Sequence, residues 1–71
     1  MNRLEMVMKL RNQDPVAFFY GEAILSFVPL EGGYVLSSYF DPFTGLCLQL
    51  KMTHNSAEDC LVDMASLVGV E

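Results

Sequence analysis

Beyond its first eleven residues the chain has almost no basic charge. From residue 12 to residue 71 the only base is Lys51, set against eight acids. The net charge is −5 and the pI near 4.5. Contact with nucleic-acid phosphates needs a basic patch, so direct nucleic-acid binding is not expected. Anionic membrane surfaces are disfavoured for the same reason. Long apolar runs are also missing. The most apolar stretch, Pro15 to Leu30, is interrupted by Glu22 and is too short to span a bilayer. Met1-Asn2-Arg3-Leu4-Glu5 lacks the apolar core of a signal peptide. With two cysteines, Cys47 and Cys60, there is no disulfide framework. The expectation is a soluble, cytoplasmic protein of a reducing compartment with both thiols free.

What the chain does have is apolar surface. Hydrophobic residues make up 52% of the sequence and charged residues 18%. Seventy-one residues form one domain, residues 1–71, with little interior in which to bury so much apolar material. Apolar surface left over from folding tends to become an interface.

The spacing of apolar residues predicts a helix over Asn2 to Gln13. Leu4, Val7 and Met8 form its main face, and Met6 and Leu10 a second apolar edge. Lys9 and Arg11 suit the negative end of that helix. Asp14-Pro15 terminates it, because a residue before proline avoids the α region. Val16 to Tyr20 fits either a helical turn or an early strand. Glu22 to Leu30 reads as a strand with two largely apolar faces, so either both are covered or one meets a partner. Gly32-Gly33 predicts a two-residue hairpin. Tyr34 to Phe40 is the return strand. Asp41-Pro42-Phe43-Thr44-Gly45 has the composition of a type I turn closing through a bulge. In the strand that follows, Leu46, Leu48, Leu50 and Met52 alternate with Cys47, Gln49, Lys51 and Thr53. Ser56, with Asp59 three residues on, predicts a capped second helix, and Glu58 and Asp59 would complement its N-terminus. Gly69 stands at the position of a C-terminal cap. The expected fold is α+β: helix, three-stranded antiparallel meander, helix (α-β-β-β-α), with both helices on one face of the sheet.

No catalytic or cofactor signature stands out. Cys47, His54 and Cys60 are the soft ligands, and none is paired at the two-to-four-residue spacing that zinc favours. Cys60 lies on the apolar stripe of the last helix, where a free cysteine acts as a small hydrophobe. Cys47 and His54 stand at opposite ends of one strand, which does not suit Cys-His catalysis. Gly32-Gly33 lacks the following helix and lysine of a phosphate loop. The candidate contact residues are the acids Glu58, Asp59, Asp63 and Asp41 and the aromatics Phe43 and Tyr39. Acids steer association, and aromatic side chains dominate interface energetics. Phe43 either stands out at its turn tip or folds back onto Tyr20 or Phe19.

The order helix, three strands, helix resembles the double-stranded RNA-binding domain. That family opens its second helix with a lysine-rich segment. Here the matching place reads Ser56-Ala57-Glu58-Asp59, so the resemblance implies topology without the RNA function. In size, element order and charge the chain is also similar to the small acidic inhibitors made by bacteriophages, several anti-CRISPR proteins among them. Those proteins occupy the basic surface of a nucleic-acid enzyme. It is similar too to type III secretion chaperones, acidic α+β homodimers whose strands bind an extended client. These likenesses imply a non-enzymatic protein-interaction module that inhibits a larger protein by occupying a basic site. The alternative is a homodimeric adaptor that holds a client on an exposed sheet face.

Overall fold

A computed structural model describes residues 1–71. Helix α1 spans Arg3–Arg11. Strands β1 (Val16–Tyr20), β2 (Ala23–Leu30), β3 (Tyr34–Phe40) and β4 (Cys47–Thr53) follow, and helix α2 (His54–Leu67) closes the chain. The fold is α+β, a helix-flanked antiparallel meander as expected, with one correction. Residues 16–20 are a strand, so the sheet has four strands in the order β1-β2-β3-β4. The extra strand also separates this topology from that of the double-stranded RNA-binding domain. Gly21-Glu22 is what makes it a strand. Gly21 takes φ +62° at the first position of a two-residue turn, as a type II′ hairpin requires, and Tyr20 pairs with Ala23.

The other hairpins also differ in detail from the sequence expectation. Leu30 pairs with Tyr34, so Glu31 joins Gly32 and Gly33 in a three-residue loop. In the third hairpin the Gly45 N–H donates to the Asp41 carbonyl at 2.8 Å, and the Asp41 N–H donates to Leu46 O at 2.9 Å. The loop is therefore Pro42 to Gly45.

Helix α1 starts on Asn2, whose side chain accepts from the Glu5 N–H at 2.8 Å. It ends before Asp14-Pro15 acts. Asp14 N–H donates to Lys9 O at 2.9 Å and Gln13 N–H to Leu10 O at 3.1 Å, with Gln13 left-handed at φ +63°. This is a Schellman motif with glutamine where glycine is usual. The same motif ends α2, now with Gly69 at φ +78° and Val70 N–H on Ala65 O at 2.8 Å. The cap at the start of α2 is Thr53 rather than Ser56. Its hydroxyl accepts from the Ser56 N–H at 3.2 Å. No loop separates β4 from α2, and His54 N–H continues the ladder to Gly33 O. The helix thus begins three residues earlier than expected. Glu58 and Asp59 fall in its second turn, past the N-terminal turn where the helix dipole acts.

The helices lie antiparallel. Arg11 meets Glu58 at one end, and Arg3 Nη1 donates to Ser66 Oγ at 2.6 Å at the other. The Arg3 N–H also donates to Glu71 O. This pairing corrects the predicted face of α1. The flank with Arg3, Val7 and Arg11 meets α2, and Met6 and Leu10 turn down onto the sheet. Leu4 and Met8 are exposed. The core forms between both helices and one sheet face, around Phe27, Val16, Val35, Leu10 and Leu61, all at most 1% exposed. Phe18 stacks on Phe27 with ring centroids 6.4 Å apart. The result is a slab only 16 Å in its shortest dimension: one helix layer on one sheet layer.

Candidate functional site

Side chains alternate across a sheet, so the register assigns each one to a face. Phe27 pairs with Val16 and Ser37, and Ser37 with Leu50, and all of these face the helices. Their neighbours face the opposite way, onto a surface that no element covers. Phe19, Val28, Tyr34 and Phe40 lie on it, each 39% or more exposed. Half-buried Ile24, Leu30 and Leu36 fill the area between them. An antiparallel sheet with one wet face normally alternates apolar and polar residues. Here both faces of β1 and β2 are apolar, and only one is covered. A shallow hollow of about 180 Å³ opens at the β1 end, lined by Ala17, Phe18, Phe19 and Ile24.

Charge is confined to the margin of this face. Among its side chains only Lys51 is charged, and its Nζ lies 4.4 Å from the Tyr34 ring centroid. Acids stand at the turns around it: Glu22 between β1 and β2, Glu31 between β2 and β3, and Asp41 at the end of β3.

The six contact residues expected from sequence do not converge on this face. Glu58 is engaged within the chain. Arg11 Nη2 lies 2.5 Å from its Oε1, and Arg11 Nε donates to Oε2 at 3.1 Å. The hydrogen bond from Arg11, aided by its charge, holds the Glu58 carboxyl below the usual range against the opposing effect of burial. Arg11 is raised in turn. Asp59 and Asp63 are exposed on the outer flank of α2. Asp41 serves its own turn, its Oδ1 accepting from Phe43 N at 2.9 Å and more weakly from Thr44 N at 3.4 Å. Phe43 stands out from the loop tip at 76% exposure and does not fold back. Tyr39 lies on the helix side, opposite Leu25 and Leu48, half-buried. The tyrosine on the open face is Tyr34.

The soft side chains are dispersed. No three of the His, Cys, Asp and Glu side chains come close enough together to hold a metal ion. His54 serves the helix junction, with Nε2 3.3 Å from Leu10 O and Nδ1 4.0 Å from Glu58. Cys47 is exposed. Cys60 is half-buried against the core, and burial, reinforced by the charge of Asp63, pushes its thiol up. No helix is long and apolar enough to cross a membrane.

Comparison with protein-family models, with curated proteins and with solved structures returns no match for this chain.

Proposed function

We propose that the chain is a non-enzymatic protein-interaction module that holds its partner against the open face of the sheet. The observation that carries this reading is the two-sided apolar character of β1 and β2, combined with helices on one side only. A sheet face built from Phe, Ile, Val and Leu gains free energy when it is covered, at roughly 25 cal/mol per Å² of apolar surface removed from water. The acids at the turns define the partner's chemistry further. A complementary surface is apolar at its centre and basic at its margin, so acid pairs with base where the rim stays wet.

The exposed pair Asp59 and Asp63, one turn apart on α2, favours a second reading. In it, a phage-type inhibitor of the anti-CRISPR kind uses the helix layer to enter a basic groove of a nucleic-acid-handling protein. The two readings use opposite sides of the slab and are separable. Partners are captured from the native host and identified by mass spectrometry, then their affinities are measured for Val28→Lys and for Asp59→Lys/Asp63→Lys. The open-face reading expects Val28→Lys to abolish binding, with the double substitution costing mainly on-rate. Full binding by a folded Val28→Lys chain would overturn it.

A further inference from the structure

The edge of β4 has been left open. Apart from Met52, every residue of this seven-residue strand is exposed, and it has no proline. The opposite edge, β1, is shorter, and Pro15 precedes it, two features by which sheets blunt an edge. A lysine on an edge strand also discourages pairing, but Lys51 lies back over Tyr34 on its own sheet. On the helix side, Leu48 and Leu50 are 57% and 61% exposed, although Leu25 and Phe27, on the same rungs, are buried. Neither helix covers this corner.

The ladder shows which backbone groups are free. Leu46 O accepts from Asp41 N, and His54 N donates to Gly33 O. Even-numbered residues of β4 therefore bond to β3, and Cys47, Gln49 and Lys51 direct their N–H and C=O groups outward, as Thr53 does its N–H, while the Thr53 C=O, at the helix N-cap, takes the first bond of α2.

We infer that this edge pairs with the β4 edge of a second copy, antiparallel about a two-fold axis through Leu50, giving a continuous eight-stranded sheet. The side-chain order around Leu50 is palindromic in kind. Gln49 and Lys51 flank it as long polar residues, Leu48 and Met52 come next as apolar residues, and Cys47 and Thr53 are the small ends. In this register Leu50 meets Leu50, Leu48 meets Met52, Gln49 meets Lys51 and Cys47 meets Thr53. Gln49 and Lys51 of each copy then exchange both backbone hydrogen bonds across the seam, and the Thr53 N–H meets the Cys47 C=O. The charge distribution fits a second copy as well. β4 carries no carboxylate, so two chains of charge −5 meet where neither presents an acid, and each lysine faces a glutamine. A two-fold, isologous contact is also the commonest way for identical chains to associate. The inference does not depend on what the open face binds; it doubles that face.

The test is sedimentation of the full chain over a concentration series, with two variants. The parent is expected to show a monomer–dimer equilibrium. Gln49→Pro removes an N–H that points away from β3, so it is expected to keep the parent's circular dichroism and sediment as a monomer. Opposed Leu50 residues would form a non-hydrogen-bonded pair with Cα atoms about 4.5 Å apart, within disulfide range. In a Cys47→Ser background, Leu50→Cys is therefore expected to oxidise to a covalent dimer, and Leu48→Cys is not. A parent that stays monomeric at several hundred micromolar overturns the proposal and leaves the edge to a client strand. A folded Gln49→Pro dimer overturns it in favour of another surface. Preferential cross-linking through Leu48→Cys overturns the register.

Discussion

Replacing Gln13 by glycine is expected to stabilise the protein, although glycine is the poorer residue in most of a helical segment. Gln13 sits past the end of α1 at φ +63°, where its Cβ crowds the following carbonyl. That left-handed conformation costs a non-glycine residue roughly 1–2 kcal/mol. Glycine removes this cost but adds unfolded-state freedom worth about 0.4–1 kcal/mol. The Gln13 side chain is exposed, so little packing is lost. The net gain is on the order of 0.5–1 kcal/mol, which for a chain of this size raises Tm by about 3–6 °C. Gly69 provides the mirror experiment. It occupies the same position in the same motif at φ +78°, and a Cβ there meets nothing within 4 Å. Gly69→Gln should therefore cost a similar amount through backbone strain alone. The two sites lie at opposite ends of an antiparallel helix pair, so the swap of both should nearly cancel. Thermal and urea melts followed by far-ultraviolet circular dichroism, at one fixed protein concentration, read all four chains. A Gln13→Gly chain that melts at or below the parent's temperature would refute the Schellman argument.

Two further outcomes follow from the titrating and thiol groups. Arg11 lowers the Glu58 carboxyl in the folded state, so this pair's contribution is present above the unfolded value near 4.5 and is lost as pH falls below it. Urea midpoints measured from pH 7 to pH 3 should accordingly drop less steeply for Glu58→Gln than for the parent, and equal slopes would contradict the coupling. Of the two thiols, Cys47 should react promptly with a disulfide reagent at pH 7. Cys60, with its thiol held up by burial and by Asp63, should lag until the protein unfolds. Two equivalents released at one rate would contradict this assignment.

The parts of the fold visible in the sequence were those with a local cause. The alternation from Leu46 to Thr53 separates the β4 side chains into the two sets that the register places on opposite faces, and Gly69 marks the end of α2. The rest depends on neighbours distant in sequence. Leu4 and Met8 have helical spacing as good as that of Met6 and Leu10, and only the position of α2 shows which pair is buried. Val16 to Tyr20 lacks a period because both its faces are apolar, and that same property makes it part of the open surface. A type II′ signal was present in Gly21-Glu22 and would have resolved it. In the sequence Glu58 looks like a free acid because its partner, Arg11, lies 47 positions away. The missing alternation in β2 leaves open either two covered faces or one that meets a partner, and only the register decides for the open face and assigns Phe19, Val28, Tyr34 and Phe40 to it.

The antiparallel helix pair also bears on how the chain assembles during synthesis. Neighbouring strands are joined by loops of two to four residues, so the meander can zip up locally as it emerges. The helix layer is different: the ties from Arg3 to Ser66 and to Glu71 close loops of 63 and 68 residues. α1 is synthesised before the meander and α2 after it, so α1 waits for α2 before either can be locked in place. Until then both faces of the sheet are bare, and the interval most exposed to aggregation ends only once α2 has emerged and docked.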